Sequence, residues 1–179
     1  MKKQMKKMKK VCAMLCGVLS VLSLASAFAG EDDNNNNNNN VLWQNIVGNI
    51  TVSNNDAVGG ILPGTTPWST TGGRAHVNLA TGRVSFDVDG LVLNGGNATG
   101  TPGPVTSVTG TLVCNAGTGN QTVFNTAAVP LSAQGDARFS GRFANAPGTT
   151  CSNPVFLIRI AVPAGAGGRW IATGAGRTP

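Results

Sequence analysis

Apolar and polar positions alternate with a period of two through much of this chain. In residues 73–90, GRAHVNLATGRVSFDVDG, Ala75, Val77 and Leu79 fall on one face, and Val84, Phe86 and Val88 share a face after them. A period of two is that of a half-buried strand. Between the two runs, Leu79-Ala80-Thr81-Gly82-Arg83 reads as a turn, with Gly82 free to adopt positive φ. The stretch therefore predicts a β-hairpin. Residues 136–143, DARFSGRF, alternate as cleanly, with Ala137, Phe139, Gly141 and Phe143 inward and Asp136, Arg138, Ser140 and Arg142 outward.

Residues 105–115 place Val108, Gly110, Leu112 and Cys114 on one face, and the near-continuous apolar run at 155–162, VFLIRIAV, suits a central strand. Residues 41–52 predict a first strand with a bulge near Gly48, and 121–125, 129–133 and 169–173 predict short ones, with a brief strand near Ile61. No window after the first 29 residues has a helical period. Eight or nine short strands separated by Gly, Pro and Asn predict an all-β fold, an antiparallel β-sandwich in preference to a barrel.

The first 29 residues break this pattern. MKKQMKKMKK carries six lysines, an apolar run of about fifteen residues follows, and Ala27-Phe28-Ala29 offers a small-x-small cleavage site. This is the order of a signal peptide, and the run is short for a membrane span. Residues 30–40, GEDDNNNNNNN, contain no apolar residue that could offset the entropy of ordering them, so they read as a solvated linker. Residues 41–179 form the predicted domain, and the expected location is secreted or periplasmic.

Removing the leader changes the charge. The formal net charge of +6 becomes about zero, because all six lysines depart and seven arginines then face seven acids. A basic footprint would have to survive in the mature domain, so nucleic acid is excluded as a partner. Cys12 and Cys16 leave with the leader, and Cys114 and Cys151 remain as an even pair in an exported chain. Oxidising conditions make a disulfide the expected state, and two free thiols, one of them a nucleophile, the competing one.

Candidate chemistry centres on His76, the one histidine, with Asp87 and Asp89. A two-residue hairpin loop sets His76 opposite Asp87, and a four-residue loop sets it opposite Ser85; both leave it on the polar face. One histidine and two carboxylates can bind a metal, yet no second histidine or HxH pair accompanies them. Asp87 and Asp89 are the one closely spaced carboxylate pair of the domain, about 7 Å apart at strand spacing, and they point the same way rather than across a cleft. There is no G-x-S-x-G elbow, P-loop, dinucleotide fingerprint or zinc spacing, so no cofactor is expected.

Trp43 and Trp170 sit in apolar strands and read as core. Trp68 lies in the loop PGTTPWSTTGG, where it either stacks on a sugar ring or caps one end of the fold. Asn49, Asn97 and Asn120 begin glycosylation sequons of the kind that an Asn- and Thr-rich chain produces by chance.

ATGRVSFDVDGLVLNGG, GTPGPVTSVTGTLVC, VPLSAQGDARFSG and GRWIATGA resemble segments of small exported bacterial proteins of uncharacterised activity. That resemblance implies export and an all-β domain. An alternating strand pair followed by GTPGPV is also similar to the CHRD domain, a secreted β-rich module. LVLNGGNATG stands where that family's HxH-type motif is expected, so no functional residue carries over. The chain is thus expected to be a non-catalytic interaction module for an extracellular protein or glycan, with no membrane span in its mature part. A carbohydrate-binding module using an exposed Trp68 is the alternative, and a metal-dependent hydrolase at His76, Asp87 and Asp89 the third reading.

Overall fold

The computed structural model describes residues 39–50, 56–148, 150–161 and 168–178. The leader and residues 30–38 of the linker lie outside the described residues. Among the described residues eleven strands follow one another: β1 (Asn40–Gly48), β2 (Trp68–Ser69), β3 (Gly72–Asn78), β4 (Arg83–Asp89), β5 (Val92–Leu93), β6 (Ser107–Cys114), β7 (Thr122–Asn125), β8 (Val129–Pro130), β9 (Ala137–Arg142), β10 (Val155–Ile160) and β11 (Trp170–Thr178). Nine of them form one antiparallel sheet in the order β7-β6-β10-β11-β1-β3-β4-β9, with β8 also on β6, while β2 and β5 form a two-stranded ribbon.

The alternation read from the sequence is the alternation of burial. Ala75 and Val77 of β3 and Val84, Phe86 and Val88 of β4 are buried, and their neighbours face out. In β10, Phe156 and Ile158 enter the main core, while Leu157 joins a smaller cluster with Ile61, Val113 and Trp170 on the opposite face of the sheet. This explains the unbroken apolar run of β10: both of its faces are covered. The segment around Ile61 is the cover, held by Gly64 N–H to Trp170 O (2.7 Å) and Arg169 Nη1 to Pro63 O (2.7 Å).

Arg159, on that same face of β10, donates to Gly168 O (2.9 Å) and to Asn125 Oδ1 (3.2 Å), and burial lowers its pKa from the ordinary arginine value. In β1 the alternation slips at Gln44–Asn45, which are both exposed, rather than near Gly48. The slip comes where β1 leaves β3, with Trp43↔Ala75 the last pair, and continues along β11 alone.

The two layers expected of a sandwich come from one sheet that curls over on itself. Phe86 of β4 and Phe156 of β10 lie four strand positions apart in the sheet order, a separation of about 19 Å if the sheet were flat. Their ring centroids are 5.8 Å apart. Phe124 of β7 and Phe143, next to β9, meet between the two free edges with ring centroids 6.2 Å apart. A sheet twisted in one sense coils naturally into such a half-barrel, and a long apolar inner face gives it reason to close.

Cys114 and Cys151 form a disulfide with Cα atoms 4.8 Å apart. It clamps the end of β6 to the approach of β10, beside the hydrogen bonds Asn115 N–H to Ser152 O (2.6 Å) and Asn153 Nδ2 to Ala116 O (2.8 Å).

Candidate functional site: the outer face of one wing

Four strands, β1, β3, β4 and β9, make one wing of the curled sheet. Their register aligns the outward side chains in ranks across the strands. Leu42, His76, Ser85 and Ser140 form one rank, because Leu42 pairs with His76, His76 with Ser85 and Ser85 with Ser140. Arg74, Asp87 and Arg138 form the rank on one side of it, and Arg83 stands opposite Arg142 on the other.

The β3–β4 turn sets this register. Residues 79–82 form a four-residue loop, Gly82 sits at φ 68°, and Asn78 Oδ1 accepts from Thr81 N–H (2.9 Å) and Thr81 Oγ1 (2.8 Å). Of the two registers open from the sequence, the structure adopts the one that places His76 opposite Ser85 and Arg74 opposite Asp87.

Together these side chains line an open depression of about 700 Å3, bounded by Arg74, His76, Ser85, Asp87, Arg138 and Ser140, with Leu42 at one end. Both aspartates have basic partners. Arg74 Nε donates to Asp87 Oδ1 at 3.0 Å, and Arg138 Nη2 lies 3.8 Å from Asp89 Oδ1. Such exposed pairs contribute up to about 1 kcal/mol each; the sheet register sets where the side chains stand.

Among the described residues no hydrogen bond joins His76 to Ser85 or Asp87, and no group of three histidine, cysteine, aspartate or glutamate residues is placed to hold a metal. His76, Asp87 and Asp89 thus share a face, while the carboxylates answer to arginines and not to the imidazole. The arrangement offers a ligand guanidinium, hydroxyl and imidazole donors, with one carboxylate as acceptor.

Trp68 needs correction as a candidate. It is only 3% exposed, and its ring belongs to the main core. Short as β2 is, it pairs with β5 (Trp68↔Leu93), and Trp68 N–H donates to Asn49 O (2.7 Å), so the loop folds inward across the end of the barrel. The tryptophan caps the fold and presents no platform to a sugar. Asn49, the first sequon position, is also buried.

The sequence placed His76, Ser85 and Asp87 on one polar face and Arg138, Ser140 and Arg142 on the outward face of a separate strand. What it missed is that these are the same face, together with Leu42. The signal in DARFSGRF was the outward direction of its arginines; nothing local says that β9 pairs with β4, whose residues lie far earlier in the chain, Arg83 opposite Arg142 and Val88 opposite Ala137. Comparison of the chain with protein-family models, with curated proteins and with solved structures finds no match.

Proposed function

We propose that this chain is an exported, non-catalytic binding module that meets its ligand on the outer face of the β1–β3–β4–β9 wing. Export is argued from the lysine-rich start, the apolar run and Ala27-Phe28-Ala29, and the disulfide is in keeping with an oxidising destination. The observation that carries the reading is the ranked face itself. Polar side chains from three strands stand around one depression, aligned by the sheet register, and the groups are suited to hold a ligand. A nucleophile would need His76 hydrogen-bonded to Ser85 and oriented by a carboxylate, and Asp87 is engaged by Arg74 instead.

The test uses protein purified from the periplasm or the medium, labelled and applied to intact cells and isolated envelopes. The mature chain is expected to begin at Gly30 by mass and to be retained. Ser140→Trp, which fills the depression from the exposed edge strand, is expected to lower retention at least tenfold with an unchanged melting temperature. Equal retention of this variant would place binding elsewhere on the molecule.

A further inference from the structure

Arg83 and Arg142 are directly opposed in the β4–β9 ladder, and both are exposed. Like charges facing each other across strands are destabilising. Every other cross-strand partnership of charge on this wing is complementary: Arg74 faces Asp87, and Asp87 faces Arg138. Among the described residues the salt bridges are Arg74–Asp87 and Arg138–Asp89, so no described carboxylate pairs with Arg83 or Arg142. Arg142 donates one Nη1 hydrogen to Thr81 O (2.8 Å), which aims it at the turn beside Arg83 and leaves further guanidinium hydrogens to offer.

The two arginines stand one rank, about 7 Å along the strand, from the His76–Ser85–Ser140 rank that floors the depression. Of the exposed large apolar residues that could anchor a protein partner, Ile50, Leu62 and Val123 lie off this wing, and Val47 stands on β1 four residues past its last pair with β3, where β1 runs beside β11. From these observations, and resting on the reading that this face binds, we propose that the ligand is an acidic polysaccharide whose uronate carboxylate is clamped between Arg83 and Arg142 while its hydroxyls meet Ser85, Ser140, His76 and Asp87.

The chemistry of a uronate unit matches the ranks. Planar guanidinium groups recognise a carboxylate through paired hydrogen bonds. Sugar hydroxyls both donate and accept, which suits a floor of hydroxyls and imidazole beside one carboxylate. The depression is open, so a chain can continue beyond it at either end.

Binding of a uronate hexasaccharide to the full mature protein is measured by titration calorimetry, against its methyl ester and against inorganic sulfate. The acid is expected to bind at least tenfold more tightly than the ester, with affinity falling as salt rises. Arg83→Ser is expected to weaken binding at least tenfold and to leave the melting temperature equal or raised, because it relieves the opposed charges. Arg83→Lys, which keeps charge but loses the planar fork, should fall between. Equal binding of acid and ester, or wild-type affinity in Arg83→Ser, would overturn the proposal. So would sulfate displacing the hexasaccharide at equal concentration, which identifies a simple anion site. If the hexasaccharide fails to bind while Ser140→Trp still abolishes envelope retention, the ligand class falls and the binding face stands.

Discussion

At the scale of single residues, the contrast between Trp68 and His76 shows what local sequence conveys. Both stand in polar surroundings in the sequence. His76 is outward because Ala75 and Val77 on either side are buried, and alternation alone says so. Trp68 has no alternating neighbours, and its burial depends on Asn49 and on β5, which are distant in sequence. The structure therefore makes Trp68 a stability residue. Trp68→Ala should lower unfolding free energy by about 3–5 kcal/mol, as large aromatic truncations in cores do, read as a shift of the urea midpoint, with envelope retention of the folded fraction unchanged. A loss of retention at unchanged stability would return Trp68 to the ligand.

At the scale of elements, the strands were legible and their junctions less so. The hairpin of residues 73–90 forms as predicted, but its register waited on the turn. Asn78 settles it by bonding both the amide and the hydroxyl of Thr81, and that choice puts Arg74, not His76, opposite Asp87. The cysteine pair was expected from its even count; that it clamps neighbouring strands β6 and β10, at a separation of 37 residues, required the fold. In the chain-entropy account a loop of that size is worth about 4 kcal/mol. Cys114→Ala/Cys151→Ala should lose stability of that order and unfold at lower urea. Wild type with reductant should approach the same midpoint; a midpoint unmoved by both treatments would mean that the bridge is dispensable.

At the scale of the whole molecule, curling of the sheet is what brings β4 over β6 and β10. Gly110 marks the crossing: a Cβ built there would lie 2.6 Å from Phe86 and 2.9 Å from Phe156. Gly110→Ala must push those rings apart, and overpacking of this kind costs about 1–3 kcal/mol, to be read as a lower melting temperature. An unchanged value would mean that the two wings are not in close contact.

The sequence by itself determined the longer strands, the buried side of the β3–β4 hairpin and that one disulfide is available, because period-two alternation and turn residues act over a few positions; it left out the short β2 and β5, and the strand expected near Ile61 is only an isolated bridge to Val58. Tertiary structure alone decided that the layers are one curled sheet, that Trp68 turns inward, and that His76, Ser85, Ser140 and four arginines share a face. Those outcomes depend on which strands pair, β9 with β4 and β1 with β3, and strand pairing is a balance of core burial and register across the whole chain that no short stretch encodes.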